Sequence, residues 1–174
     1  ITDSANVTEL ELNADDSITL DTITLDNLGT VLLDVNLDAD GGGGTLSASN
    51  LTAGQITVDG TGTDDIFNFN GQVTSSNTSI LINQANIITL SEDVIAASDL
   101  TISNVNSDVN IGDGISLTAT SGSVTANGNV TLIDLTGTSK NTITAGTNVS
   151  LTAITDSANV TELELNADDD ITLD

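Results

Sequence analysis

Any chemistry in this chain has to be done with carboxylates, hydroxyls and amides. Its 174 residues include 26 acids and a single base, Lys140, with no His, Cys, Met, Trp, Tyr or Pro. Without His or Cys there is no Ser with His or Cys with His nucleophile and base pair. Paired carboxylates can hydrolyse a glycoside, but polysaccharide clefts also use bases and aromatic platforms, and here there are one Lys and two Phe. The expectation is that the chain is not an enzyme. Oxygen-rich side chains instead suit hard cations, and a formal charge of −25 makes cations the natural companions. The same charge argues against nucleic acid and anionic membranes, which are held by basic clusters.

One acidic stretch has a defined pattern. "DGTGTDDIF", Asp59 to Phe67, resembles the calcium-binding nonapeptide G-G-x-G-x-D-x-U-x, with Asp59 replacing the first Gly. The resemblance implies a Ca²⁺ turn at Asp59, Gly60, Gly62 and Asp64, with Ile66 entering the core. Ca²⁺ takes six to eight oxygens, and such turns cooperate across successive coils, whereas this one occurs once. A plain Gly-rich turn with solvated acids is the simpler alternative, and no cofactor is required. Asp15 with Asp16, and Asp168 to Asp170, read as solvated corners. "DADGGGGTL", Asp38 to Leu46, exposes backbone N–H groups but lacks the Lys of a phosphate loop, so it reads as a turn or bulge.

Asn-x-Ser/Thr sequons stand at Asn6, Asn50, Asn77, Asn129, Asn148 and Asn159. They matter only in an exported protein whose host glycosylates asparagine. Thr-x-Thr pairs at 22/24, 61/63, 118/120 and 142/144 raise the idea of an ice-binding face. Separations of 39, 57 and 24 residues do not suggest that they stack, so outward Thr on strands is the expected reading.

The elements that position these residues are strands. Leu10, Leu12, Ile18, Leu20, Ile23, Leu25, Leu33, Val35 and Leu37 alternate with acids or Thr, which is the period of a half-buried strand. Only "SEDVIAASDL", Ser91 to Leu100, offers a helical turn. With 37% apolar residues the chain is not a disordered acidic tail. No run has the roughly 18 apolar residues of a membrane span, and no signal peptide is apparent.

Two repeats organise these strands. Residues 1–21, "ITDSANVTELELNADDSITLD", return at 154–174 with Ser17 replaced by Asp170. Residues 1–153 therefore form one complete repeat and 154–174 the start of the next. A weaker repeat begins near Asp99, Gly114, Asn129 and Asn148, spaced by 15, 15 and 19 residues. That spacing predicts an all-β fold, a parallel, right-handed β-helix or β-solenoid with short coils, about eight or nine per repeat. At about 4.8 Å of rise per strand, 153 residues would add roughly 40 Å. The two 21-residue copies would then be superposable coils on one axis. A string of β-sandwiches is the rival, but two Phe are few aromatics for a sandwich core.

The phrases "NVTL", "NVSLTA", "DITLD" and "GISLTATSGSVTA" resemble filamentous haemagglutinin-like, two-partner-secreted bacterial exoproteins, most clearly from Asp99 onward. That resemblance implies a right-handed β-helix exported to the cell surface for adhesion, aggregation or contact-dependent competition. The family's amino-terminal secretion domain has no counterpart here. The expected function is a structural segment of a long extracellular fibre, filament or adhesin stalk, whose partners are further copies of the repeat stacked end to end. The alternative is a ligand-binding module, open to stabilisation by Ca²⁺, that recognises a host or neighbouring-cell surface.

Overall fold

A computed structural model describes residues 1–2, 7–26, 29–35, 42–61, 64–112, 114–132, 140–156 and 162–174. Among the described residues eighteen strands form one continuously paired system and there is no helix. Every ladder is parallel and joins a strand to its counterpart one coil later. The result is a β-solenoid of about six turns.

Each coil has three faces. The first face stacks β1 (Glu9–Ala14), β3 (Thr30–Val35), β5 (Gln55–Gly60), β8 (Ile80–Ala85) and β11 (Leu100–Val105). It continues through the starts of β14 (Val124–Leu132) and β16 (Val149–Asp156) to β18 (Ile171–Leu173). The second face runs from the starts of β2 (Ser17–Thr24) and β4 (Thr45–Ala53) through β6 (Ile66–Phe69), β9 (Ile87–Leu90) and β12 (Asp108–Ile111). The ends of β14 and β16 complete it. The third face stacks the ends of β2 and β4 with β7 (Val73–Ser75), β10 (Val94–Ala96), β13 (Ser116–Ala119), β15 (Lys140–Ala145) and β17 (Glu162–Ala167).

Alternation puts every second side chain inside, and register stacks like on like. On the first face one inward row is Leu10, Val31, Ile56, Ile80, Leu100, Val124, Val149 and Ile171. On the third face a row of small residues, Ala53, Ser75, Ala96, Ala119, Ala145 and Ala167, leaves room for its larger neighbours. Both Phe lie in one coil, at the inward positions Phe67 and Phe69 of the second face. That coil has Gly60 and Ser75 at inward positions elsewhere, which offsets the ring volume. Corners turn with left-handed residues where needed: Gln84 and Asn104 have φ near +54° and +53°, and Gly128, one coil on, has φ of +127°. An L side chain reaches that last value at a steric cost that glycine avoids.

Register pairs lie 20 to 28 residues apart, from Ile80 opposite Leu100 to Ser17 opposite Thr45. The coil is therefore longer than the 15-residue spacing predicts. The eight or nine coils expected per repeat fall to between six and seven, and the rise to roughly 30 Å. The short spacing misleads because "DLTIS", "GISLTA" and "NVTL" lie on different faces, so the period in the text counts faces as well as turns. Ser91 to Leu100 also departs from expectation. Val94 and Ala96 are buried in β10 with Ile95 turned outward, because a paired rung on either side outweighs weak local helix propensity.

The two copies of the 21-residue phrase are not superposable coils on the same face. ELELNA at 9–14 lies on the first face and at 162–167 on the third, while Ile18–Leu20 lies on the second face and Ile171–Leu173 on the first. Each strand of the phrase comes back after six turns and two further faces. The mismatch itself behaves as the pattern suggests, with Ser17 and Asp170 both exposed.

Candidate functional site

The corner between the first and second faces holds Asp59, Gly60 and Asp64 of the candidate turn and, in the first coil, Asp15 and Asp16. On the outer side of the first face, Asn13, Asp34, Asp59, Asn83 and Ser103 stand in register, one per coil. Asn83 Nδ2 donates to Asp59 Oδ1 at 2.9 Å, while Ser103 Oγ and Asn104 Nδ2 donate to Asn83 Oδ1 at 2.9 and 2.7 Å. Glu11, Asn13, Leu32, Leu33, Asp34, Thr57 and Asp59 surround a shallow hollow at the foot of this row. Asp34 Oδ1 is buried there and accepts no hydrogen bond. Burial pushes the Asp34 carboxyl up, and Asp59, Asp65 and Glu11 push it further. Burial also raises Asp59, against the hydrogen bonds of Asn83 and the Gly60 backbone.

Of the Ca²⁺ turn expected at Asp59, Gly60, Gly62 and Asp64, the structure describes Asp59, Gly60 and Asp64. Asp59 and Gly60 close β5, and Asp64 is exposed. Gly62 lies outside the described residues. Ile66, which the nonapeptide resemblance places in the core, is turned outward; its neighbours Asp65 and Phe67 take the inward positions. The phase is set by Phe67 and Phe69, whose rings bury more apolar area than an Ile66 and Asn68 pair would. Among the described residues no three acidic side chains gather where a metal ion could be held.

Asp65 fixes this corner. It is fully buried, and its Oδ1 accepts the Gly44 N–H of the preceding coil at 2.7 Å. Its carbonyl accepts the Asn86 N–H of the following coil at 2.7 Å. A Cβ on Gly60 would sit 2.2 Å from the Gln84 carbonyl oxygen and 2.3 Å from Asp65 Oδ2, and one on Gly43 would meet the Asp64 carbonyl at 2.4 Å. Within the glycine-rich run, Gly43 is thus explained by the close approach of the next coil. Sequence pattern pointed to Asp64 and missed Asp65; the signal available was its place two residues before the inward Phe67, at the same alternating spacing as Phe67 and Phe69.

The remaining candidates are dispersed. Asp15 with Asp16, and Asp168 to Asp170, occupy exposed turns between strands, as expected of solvated corners. Of the sequons, Asn50 and Asn77 are exposed and Asn148 half-buried; Asn50 Oδ1 and Asn148 Oδ1 accept the Gln72 and Asp170 N–H groups at 3.0 and 3.1 Å. Asn6, Asn159 and the Asn129 side chain lie outside the described residues. Unequal coil lengths bring together Thr that sequence separations seemed to scatter: Thr24, Thr52, Thr74, Thr118 and Thr144 form one outward row on the third face, broken by Ile95. The adjacent outward positions include Asn50 and Glu164 opposite Thr22 and Thr142. No second Thr row accompanies the first, so the paired rows of an ice face are not formed among the described residues.

Comparison with protein-family models, with curated proteins and with solved structures returned no match. The fold class, an all-β solenoid of stacked parallel coils, is accordingly defined by the strand pairing alone.

Proposed function

We propose that this chain is a segment of a long extracellular fibre or stalk, non-catalytic and extended by stacking coil on coil, in the manner of the filamentous haemagglutinin-like exoproteins its phrases resemble. One observation carries the reading. The second copy of the phrase stacks on the preceding coil in unbroken parallel register: Leu165 and Ala167 continue the inward rows of Ile143 and Ala145, and Ile171 and Leu173 those of Val149 and Leu151. A new repeat thus builds on the old one with no break in the core, and in stacked repeats stability grows with the number of neighbour contacts.

Proteins containing one, two and four tandem copies of the 153-residue unit test this. Scattering should show a rod that lengthens by roughly 30 Å per copy, and thermal midpoints should rise from one copy to two. A compact particle, or units melting independently at one temperature, would overturn the fibre reading.

A further inference from the structure

The repeat junction contains the chain's one base. Lys140 opens β15 on the third face, directly opposite Glu162 in register. Its Nζ donates to Glu164 Oε2 and lies 3.8 Å from Glu162 Oε1. Glu162 and Glu164 are the second-copy counterparts of Glu9 and Glu11. A net charge of −25 leaves few places for two adjacent glutamates to stack without repulsion. Elsewhere the phrase would stack its acids on an uncharged or acidic rung: on the first face the outward residue of β16 is Ser150.

Apolar register agrees with this placement. With β17 on the third face, Leu165 continues the row Val94, Leu117, Ile143, and Ala167 continues the small row Ala96, Ala119, Ala145. The strand after the turn obeys the same shift, since Ile171 and Leu173 complete the first-face rows that end in Val149 and Leu151. The whole phrase, strand, acidic turn and strand, has moved round by one face as a unit.

We infer that Lys140 is the contact that sets where the next repeat begins, and that each repeat starts one face round from its predecessor, so that a tandem array is a threefold screw. The inference rests on the fibre reading and specifies its partner, a second copy of the repeat, and the geometry of the joint. An array built this way presents any given side chain on one face in the first repeat, on the neighbouring face in the second, and on the remaining face in the third. Adhesive or repulsive features would face three directions along the rod.

Amine-to-carboxylate coupling reads the joint directly, because Lys140 and the α-amine of Ile1 are the only amines. Treating the 174-residue protein with a water-soluble carbodiimide, followed by proteolysis and mass spectrometry, should give an amide between Lys140 and Glu162 or Glu164. Coupling of Lys140 to acids of another coil, or no coupling of Lys140, would overturn the inference. Hydrogen exchange on Lys140→Glu supplies a second reading: protection should fall several-fold in residues 162–167, stay unchanged at 116–119, and return in Lys140→Arg. Equal loss in both segments, or no loss in either, would also overturn it. Neither measurement depends on fibre formation, so failure of the tandem rods to lengthen would reject the fibre reading separately.

Discussion

Asp34 illustrates how one residue can work against the fold that holds it. Its carboxyl sits beside Asp59 on the next rung, with one oxygen buried and unpartnered. Because its folded pKa lies above the ordinary 3.8, the folded state holds the proton more tightly than the unfolded chain. The stability tied to that proton is present at low pH and is lost as pH rises through the folded value. Asp34→Asn should therefore raise the thermal midpoint at pH 7, and the gain should shrink as pH falls through the folded value and vanish below the ordinary 3.8. A pH series of melting curves for both proteins checks the sign. Gly60 makes the opposite case. Gly60→Ala drives a methyl into the Gln84 carbonyl and Asp65 and should cost about 1–3 kcal/mol in denaturant unfolding. Neither effect was legible in the sequence, since each depends on a residue one coil away, Asp59 for Asp34 and Gln84 for Gly60.

At the scale of the element, alternation was legible and phase was not. Leu10, Leu12, Ile18 and Ile23 read correctly as alternate, inward positions of strands. Ile66 was misplaced because two candidate phases compete in "DDIFNFN", and the one that buries two rings wins. Ser91 to Leu100 was misread because its polar flanks look like helix caps until the rungs on either side supply partners. Coil size was hidden by three faces sharing one vocabulary of "ITL", "SLT" and "VTL". Asn141 shows what closes a coil at a corner: it is buried, donating through Nδ2 to the Gly112 carbonyl at 2.8 Å and accepting the Gly114 N–H through Oδ1 at 3.3 Å. Asn141→Ala should destabilise by about 1–3 kcal/mol, and exchange protection should be lost first around residues 111–115 and 140–145.

For the whole molecule, charge and stacking pull in opposite directions. With −25 formal charges and one base, self-repulsion should be relieved by screening, so the melting temperature should rise with NaCl up to about 0.5 M. At matched ionic strength Ca²⁺ distinguishes diffuse screening from the Asp59 to Asp64 turn: a larger shift than Na⁺, abolished by Asp64→Asn, identifies the turn, and equal shifts leave screening alone. The 153-residue recurrence was plain in the sequence. Its rotation by one face was not, because a match between two phrases gives their distance along the chain and says nothing about the angle between them.

Lys140 has a consequence for digestion as well. Trypsin cuts after basic residues, and this chain offers it one bond per repeat, at an exposed strand start beneath the joint with the next copy. An array of such units would resist the enzyme along its whole length except at those joints. Partial digestion should yield a ladder of fragments differing by one 153-residue unit, each carrying the end of one copy and the beginning of the following one.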